Sequence, residues 1–572
     1  MKFSTTSQVR DLAKYDSLAD SMLSDKEIKS SYRTAREIAR ASGITTHDVL
    51  HLTSKFLSLH MDNRVVLYNG AYTLLTIQFN LAAGTLAPFV EHRPELRPLM
   101  DQILNFDISA QYLLTEVGHG LDAPHLETIA TLRPNGEFDL HTPNINACKY
   151  MPPTGPLAGL PRVGIVFARL MVGGEDRSIR PFVVPLCDDR QMCKGVSSRL
   201  LPRRGGVQFV DHAVTSFDHV RLPSAALLGS LAKPADLRKN FLKCTWRVSV
   251  GSLLVSVFSV PCLAVNAYVT ARYSLWRTVT GANGARVPIM SFRTQQLPIM
   301  HAIAQCYVLR PYAEEAVRLY ADTSIDQNVR SGIAAAAKAS MTEHAWSSMA
   351  ALTERVGAHG LFEHNYILQT ELTLRGIRIA EGDVTALSIR LASELLLSRY
   401  EMPKSRHPCC LLARHEAGVI AECRALLDRF DGRHRDTNFS RAFLPRCVPL
   451  VQAIGHRMAY EAALDAKVSQ PLLDLYEAKA ITLDPGWYIE LGRLPRYMQL
   501  EMEGKAVDAA MQHLEEYLGG LHAEPYAAAP ILTQRSWEEF LVDLPKFHGD
   551  AELCLVSPTA HHPAMAVGKA RL

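Results

Sequence analysis

The amino-acid sequence predicts a mainly α-helical fold with a central antiparallel β domain. Apolar residues recur at spacings of three and four from Ala13 to about Tyr112, which is typical of helices. From about Thr115 the apolar period becomes two, as in strands that bury one face. Helical periodicity returns at Leu242 and continues to about Leu544. The chain of 572 residues is therefore predicted to form an N-terminal helical domain, a β domain and two helical bundle domains, at residues 1–112, 113–236, 237–402 and 403–572.

The composition excludes several classes of protein. With 48% hydrophobic residues, 21% charged residues and a formal net charge of +3, the chain has neither the composition of a disordered protein nor the excess of cations that nucleic-acid binding needs. The N-terminus lacks the apolar stretch of a signal peptide. Residues 248–265 carry no charge, but they include four serines, Gly251 and Pro261, which favours a helix packed inside a bundle over a membrane span. The eleven scattered cysteines form no CxxC pair and indicate reduced thiols.

Local signals support each block of elements. In the first block, a helix follows a predicted cap at Thr46. In the β block, Asn135-Gly136 is a hairpin turn signal. The predicted strand regions are residues 128–132 with 138–141, residues 164–172 with 178–185, and residues 207–220. The predicted long helices are residues 242–279, 291–323, 329–355 and 383–400, with a linker at 403–410.

Two motifs suggest a ligand but are better explained by structure. Residues 118–123 fit GxGxxA, yet a dinucleotide fingerprint needs a strand before it and a helix after it, whereas here we expect a helix before and a hairpin after. These glycines are interpreted as a turn that borders a cofactor. His561 and His562 have no carboxylate or thiol at ligand spacing, so no metal site is predicted.

A third motif combines two carboxylates with a glycine. Glu381 and Asp383 flank Gly382 just before a long apolar helix. On spacing alone this pattern favours a helix N-terminus, where acidic groups interact well with the helix dipole.

Six short blocks nevertheless occur in one order along the chain. They are TEVGHG (115–120) with LETIAT (126–131) and HTP (141–143), FDHVRLP (217–223), RYS (272–274) with Arg277, FRTQQ (292–296), GAHG (357–360) and EGD (381–383). Together they resemble the acyl-CoA oxidases, the peroxisomal branch of the acyl-CoA dehydrogenase superfamily. The resemblance covers roughly residues 100–400 well and the flanking regions only in pattern.

The resemblance implies FAD bound between the β domain and the helical domain that follows it, in a homodimer whose partner subunit completes the site. It implies Glu381 as the catalytic base that removes the α-proton of an acyl thioester. The residues that it assigns to the cofactor are Thr115, Gly118, Pro153, Thr154, Arg277, Gln295, Gln296 and Asp383. In this chemistry the base needs a raised pKa. The resemblance also implies that the backbone N–H of Glu381 helps to hold the developing enolate oxygen, and that the products are a trans-2-enoyl thioester and H₂O₂.

The chain departs from the family pattern at three places. Residues 149–154 read KYMPPT where the family has KWWPGG, so the glycines that allow close backbone approach are missing. Ser252 stands where the family has a substrate-holding Arg, and Arg247 is the nearest replacement. Val384 stands where an Asn follows the EGD. These changes suggest a specialised acyl group.

The leading hypothesis is an FAD-dependent acyl-CoA oxidase-like enzyme of fatty acid β-oxidation. A flavin-dependent dehydrogenase or oxygenase that acts on a non-CoA substrate is the first alternative, and a non-catalytic partner of an oxidase is the second. The C-terminal Ala570-Arg571-Leu572 resembles a peroxisomal address, so we expect a peroxisomal protein.

Overall fold

The computed structural model describes residues 22–553. The predicted address at residues 570–572, together with His561 and His562, lies outside the described residues.

The N-terminal block is helical. Its helices are α1 Asp25–Ser42, α2 Thr46–His51, α3 Ser54–His60, α4 Asn69–Leu75, α5 Gly84–Val90 and α6 Arg97–Leu104, with a π-helical segment at Thr76–Ala83 between α4 and α5. Helix α1 begins at a capping box of Ser24 and Glu27 and buries one face on the core. The predicted cap at Thr46 is one residue late, because the Thr45 side chain accepts from the N–H of Asp48.

The β block follows. Its strands are β1 Ser109–Leu113, β2 Ile129–Leu132, β3 Phe138–His141, β4 Lys149–Tyr150, β5 Arg162–Val172, β6 Glu175–Cys187, β7 Val196–Leu200, β8 Ala213–Phe217 and β9 Val220–Leu222. Both predicted hairpins are present, as the antiparallel pairs β2·β3 and β5·β6, and Gly136 has the positive φ that its turn requires. The predicted single strand region at 207–220 contains β8, which lies between β4 and β7 in a separate three-stranded sheet.

The larger sheet is mixed and not wholly antiparallel. Its order is β1-β5-β2-β3-β9, with β6 on the other edge of β5, and β1 and β2 both pair with β5 in parallel. The segment before residue 118 is therefore strand β1 and not the predicted helix. After residue 123 the chain makes only the short turn Ala123–His125 before β2, so the helix that a dinucleotide fingerprint needs is missing in these described residues.

The second helical block surrounds the centre of the molecule. It contains α7 Leu237–Cys244, α8 Trp246–Val257, α9 Ser259–Trp276, the small hairpin β10 Thr278–Thr280 and β11 Arg286–Pro288, α10 Arg293–Ala321, α11 Gln327–Arg355, α12 Ile367–Ile379 and α13 Val384–Leu396. The segments Asn69–Val90 and Trp246–Trp276 are long and apolar enough to cross a membrane, and most of each is buried inside the protein. Burial of this kind is what core helices of a large bundle show.

The last block packs on the second. Its helices are α14 Leu411–Asp428, α15 Thr437–Asp465, α16 Gln470–Ile481, α17 Pro485–Glu490, α18 Arg496–Met511, α19 Leu514–Gly520 and α20 Gln534–Val542. The buried Arg457 on α15 pairs with Glu416 and Glu461, and Glu461 also accepts from the backbone of residues 406 and 407 in the linker. The predicted fold class is confirmed, whereas the four predicted domain boundaries stay predictions.

Candidate functional site

The sharp turn between α12 and α13 carries Glu381. Glu381 has φ +57° and Gly382 has φ +92°, so two consecutive residues adopt the left-handed conformation. Asp383 then caps α13, because its side chain accepts from the N–H groups of Thr385 and Ala386. The helix N-terminus expected from spacing is therefore real, and Asp383 forms it while Glu381 is left available.

Glu381 lies at the wall of a cavity of about 1680 Å³. The walls come from three blocks of the chain: the helices around Tyr72, the end of β1 at Tyr112 and Thr115, and the helices α7, α8, α11 and α12. Pockets for one small molecule measure about 300–1,000 Å³, so this cavity has room for a large cofactor together with a substrate.

The Glu381 carboxylate is packed against helix α8. A Cβ atom placed on Gly251 would lie 2.6 Å from Glu381 Oε2, which is closer than a Cβ atom approaches a non-bonded atom in proteins. Only glycine at this position therefore leaves the carboxylate where it is. One residue further, the buried Ser252 hydroxyl donates to the Glu381 carbonyl oxygen.

Burial changes the ionisation of this carboxylate. Removal from water raises the pKa of Glu381 to about 7, while Lys338 and Arg247 oppose this rise through their positive charges. A carboxyl group with this pKa is ionised in a large fraction of molecules near neutral pH and is far more basic than an exposed glutamate.

Arg247, predicted to bind substrate, is fully buried beneath the cavity wall. Its guanidinium donates to the carbonyl oxygens of Asn80, at 2.7 Å, and Val49, at 3.1 Å. A Cβ on Gly84 would lie 2.1 Å from its Nε, so the π-helical segment and Gly84 together make room for it. Arg247 is not among the cavity-lining residues, whereas the other predicted substrate residue, Ser252, does line the cavity.

Thr115 and Glu116 stand at the cavity end of β1. The Glu116 carboxylate forms an ion pair with Lys149 at 2.9 Å, and both side chains are fully buried. Glu116 also accepts from the N–H groups of Glu127, at 2.7 Å, and Thr128, at 2.9 Å. This network fixes the segment that exposes Thr115 to the cavity. Gly118, which the resemblance assigns to the cofactor, lies against Asn146 and does not line the cavity.

The segment that replaces the family's glycines is arranged differently from the expected flavin contact. Thr154 is buried, and its hydroxyl is within 2.7 Å of Ser198 Oγ and 2.6 Å of Thr215 Oγ1. Pro153 is buried beside it, and neither residue lines the cavity. Met151 reaches the cavity instead, with a left-handed φ of +77°.

Arg277, Gln295 and Gln296 form a second group away from the cavity wall. Residues 289–292 connect them, since the N–H of Ile289 donates to the Arg277 carbonyl and Gln296 Nε2 donates to the carbonyl of Met290. Gln295 Nε2 donates to Ser274 and to the Arg355 carbonyl. Arg277 itself is exposed. That these three residues bind the cofactor therefore stays a prediction.

The sequence analysis did not identify two residues that line the cavity and one that contacts the Glu381 turn. Tyr112 Oη and His212 Nε2 are buried, belong to cavity-lining residues and have no hydrogen-bond partner among residues 22–553. Burial lowers the pKa of His212 to about 4, so its ring is neutral. The third is Lys338, whose buried ammonium group contacts the Glu381 turn. A single lysine inside the run Ala334–Ala339 of a long apolar helix was the available signal.

The size and the lining of the cavity bear on whether it can hold FAD. It has the volume for a large ligand, and unpartnered polar atoms at its wall, on Tyr112 and His212, suit a polar aromatic ligand. Thr115 and Met151 border the same space. The described residues around the cavity therefore fit a flavin, while Pro153 and Thr154 do not face it.

Comparison with known proteins agrees with this arrangement. Residues 253–396 match the family model described as "Acyl-CoA oxidase, C-alpha1 domain". The chain is 26% identical over 398 residues to peroxisomal acyl-coenzyme A oxidase 1 of Arabidopsis thaliana, which covers 64% of this chain and 58% of that protein. It is 29% identical over 223 residues to acyl-coenzyme A oxidase 1 of Yarrowia lipolytica, which covers 37% and 32%. The chain thus spans about half the length of the curated relatives that it matches.

Solved structures resemble the chain over most of its length. The crystal structure of acyl-CoA oxidase 1 from Yarrowia lipolytica has a TM-score of 0.73 at 17% identity and covers 94% of this chain and 98% of that chain. Acyl-CoA oxidase-2 of Caenorhabditis elegans, bound with FAD, ascaroside-CoA and ATP, has a TM-score of 0.62 at 17% identity and covers 91% and 89%. At these identities the likeness establishes the fold.

Proposed function

We propose that the chain, a distant member of the acyl-CoA oxidase family, is an FAD-dependent oxidase that desaturates an acyl thioester between its α and β carbons. The observation that carries this proposal is the Glu381 carboxylate, held at the wall of a large cavity with its pKa raised to about 7. In the proposed reaction Glu381 takes the α-proton of the bound thioester. The product is the trans-2-enoyl thioester, with O₂ reduced to H₂O₂.

The backbone of Glu381 supports the same role. None of the hydrogen bonds among the described residues uses the Glu381 N–H, so this group is free to donate to a ligand. A thioester carbonyl bound there would gain negative charge as the α-proton leaves, and the N–H would stabilise that charge. The base and this donor then belong to one residue.

Two cations at the cavity support a substrate with phosphate groups. Lys239 and Lys243 lie four residues apart on α7, line the cavity and are exposed. Phosphate groups such as those of coenzyme A would pair with such lysines. This arrangement favours an acyl-CoA over a free acid.

FAD, when bound, supplies the acceptor for the β-hydride and transfers the electrons to O₂. Thr115, Met151 and His212 would hold its ring at the cavity end of β1, and burial of this end would exclude water. Asp383 would lie near the Glu381 side of the cofactor. Arg277, which is exposed, would complete the site of a second subunit in a homodimer, together with its less exposed neighbours Gln295 and Gln296.

The acyl group and the location of the enzyme are also proposed. Ser252 stands where the family's arginine is expected, which supports a specialised acyl chain. Peroxisomal β-oxidation is the proposed setting, because curated relatives are named peroxisomal acyl-coenzyme A oxidases.

Purification followed by a peroxide assay tests the function. We expect the protein to carry FAD and to form one H₂O₂ per enoyl product from at least one member of an acyl-CoA panel. A colourless protein that takes up no FAD would refute the proposal. Oxygen incorporated into the product would indicate the oxygenase, and enoyl formation that needs an acceptor other than O₂ would indicate the dehydrogenase.

The proposed base predicts the pH dependence of the reaction. Only ionised Glu381 can accept the α-proton, so we expect the rate of flavin reduction to rise with pH through about 7 and then to level off. Stopped-flow measurements between pH 5.5 and 9 would show this limb. A rate that falls as pH rises through 7 would mean that the group which titrates acts as an acid.

Gly251→Ala should separate activity from stability. The new methyl group would displace the Glu381 carboxylate, so we expect the desaturation rate to fall about 10–100-fold. Alanine inside a helix is favoured over glycine by about 0.5–1 kcal/mol, which offsets the clash with a flexible side chain. Thermal unfolding and turnover measure the two effects.

Gly504→Ala is the matched control. Gly504 lies inside α18, and a Cβ there meets nothing within 4 Å. We expect a small gain in stability and unchanged turnover. Equal turnover in both variants would contradict the position given to the Glu381 carboxylate.

A further inference from the structure

The turn that carries Glu381 is fixed by an unusual set of hydrogen bonds. Three consecutive carbonyl oxygens, those of residues 380, 381 and 382, each accept from a buried side chain. Lys338 Nζ on α11 donates to the Ala380 oxygen and, at 2.5 Å, to the Gly382 oxygen. Ser252 Oγ on α8 donates to the oxygen between them, that of Glu381. Two helices distant in sequence thus hold one short turn.

This turn needs to be held. Glu381 adopts a left-handed backbone conformation, which costs a residue with a side chain about 1–2 kcal/mol. The turn also lies between the end of α12 and the start of α13, where the Ala380 N–H still donates to the Gly376 carbonyl oxygen but helical hydrogen bonds do not restrain Glu381. Without outside contacts, residue 381 would relax and its carboxylate would leave Gly251.

Lys338 is a costly residue for its position. Its side chain is fully buried, and no carboxylate lies within ion-pair distance among residues 22–553. Burial lowers the pKa of Lys338 to about 8, against the opposing charges of Glu381 and Asp383. A lone buried ammonium group destabilises a fold unless its surroundings compensate, and here the compensation comes from the Glu381 turn.

Ser252 stands at one of the positions where this chain departs from the family pattern. Its hydroxyl donates to the carbonyl oxygen of the proposed base. The hydroxyl of Ser256, one turn further along α8, bonds its own helix at Leu253, at 2.6 Å. The contact to Glu381 is therefore a property of position 252 and not of serines on this helix.

We propose that Lys338 and Ser252 are positioning residues, which hold Glu381 in its left-handed conformation and so keep its carboxylate at the cavity wall against Gly251. The inference rests on the proposed function for the reaction that Glu381 serves. The hydrogen bonds by which Lys338 and Ser252 hold the turn, here called the clamp, concern only its geometry and do not depend on the reaction.

The charged and titratable groups around Glu381 determine how easily its carboxyl group ionises. Lys338 faces it from α11, Arg247 from α8 and Tyr112 from β1. Asp383 and Arg378 face Lys338 in turn. Loss of the Lys338 charge therefore removes one of two cations that favour ionised Glu381, whereas loss of the Ser252 hydroxyl removes none.

The test compares Lys338→Met and Ser252→Ala in the FAD-loaded protein. We expect both variants to keep their flavin and to lose about 10–100-fold in kcat with little change in KM. We expect the acidic limb of the pH profile to move up by about one pH unit in K338M and to stay in place in S252A. In crystal structures of both variants, we expect the residue 381 carboxylate to have moved away from Gly251.

Two variants serve as controls. Lys479→Met removes another lysine whose pKa is lowered by burial, on α16. Ser256→Ala removes the neighbouring hydroxyl of α8. Both should leave kcat and the pH profile as in the wild type.

Several results would overturn the inference. It fails if K338M and S252A keep the wild-type kcat, or if residue 381 stays in place in both crystal structures. If K338M does not fold, S252A decides through kcat and the position of residue 381. If the wild type oxidises no thioester, the proposed function fails, and the crystal structures alone decide whether the clamp exists.

Discussion

Glu381→Gln is expected to lower the rate of acyl-CoA desaturation by about 10²–10⁴-fold while FAD stays bound. The variant keeps the size of the side chain and its neighbours but cannot accept a proton. Enoyl formation and flavin absorbance, measured on the same preparation, would show the two results. Turnover at the wild-type rate would mean that the base lies elsewhere.

The same variant has a predicted effect on stability. Because the pKa of Glu381 is raised from 4.5 to about 7, the folded protein prefers the neutral form of this residue. The contribution of neutral Glu381 to stability is therefore fully present below about pH 4.5 and is lost as pH rises through about 7, a change of about 1–3 kcal/mol. Glutamine stays neutral, so we expect E381Q to melt at a higher temperature than the wild type at pH 8.5 and at a similar temperature at pH 5.

Glu477→Gln is the matched control. Burial raises the pKa of Glu477 on α16 to about 7 as well, but this residue does not line the cavity. We expect E477Q to show the same gain in melting temperature at high pH with unchanged desaturation. Loss of desaturation in both variants would point to a general effect of buried carboxylates.

Glu116→Gln is expected to cause the largest loss of stability, about 3–5 kcal/mol. Burial raises the pKa of Glu116, but the Lys149 charge, the Glu127 N–H and the Thr128 hydroxyl outweigh burial, so the pKa lies below its ordinary value. The variant leaves Lys149 buried with its charge uncompensated. Thermal or denaturant unfolding would measure the loss, and we expect it to be greater at pH 6 than at pH 9, where Lys149 can lose its proton.

An exposed pair provides the comparison for Glu116. Glu501 and Lys505 are 2.7 Å apart on α18, and both side chains are largely exposed. Glu501→Gln should leave the stability nearly unchanged, because solvent screens an exposed ion pair. Similar losses in E116Q and E501Q would contradict the view that the buried pair supports the end of β1.

Much of the fold could be predicted because its signals are local. The turn at Asn135-Gly136 and the long apolar helices depend on residues near one another in sequence. Strand β1 was missed because all five of its residues are buried, so the alternation that distinguishes a strand is absent. Its parallel pairing with β5 depends on residues 53 positions away, so no nearby sequence pattern indicates it.

The candidate site was predictable only where a local motif marks its residue. Glu381 lies in a recognisable motif, and the structure places it at the cavity. Arg247 was expected at the substrate but is buried, because its partners Asn80 and Gly84 are more than 160 positions away in sequence. Lys338 was overlooked since its helix looks like an ordinary alanine-rich core segment, and its contact with residues 380 and 382 appears only in three dimensions.

Anaerobic mixing of the purified, FAD-loaded protein with acyl-CoA substrates measures the proposed desaturation apart from the reaction with O₂. We expect at least one acyl-CoA to abolish the oxidised-flavin absorbance and to form one enoyl product per flavin, and we expect Glu381→Gln to slow this step by at least about 10²-fold. An FAD-loaded protein whose flavin no acyl-CoA reduces, or a Glu381→Gln variant that reacts as fast as the wild type, would contradict the role proposed for Glu381.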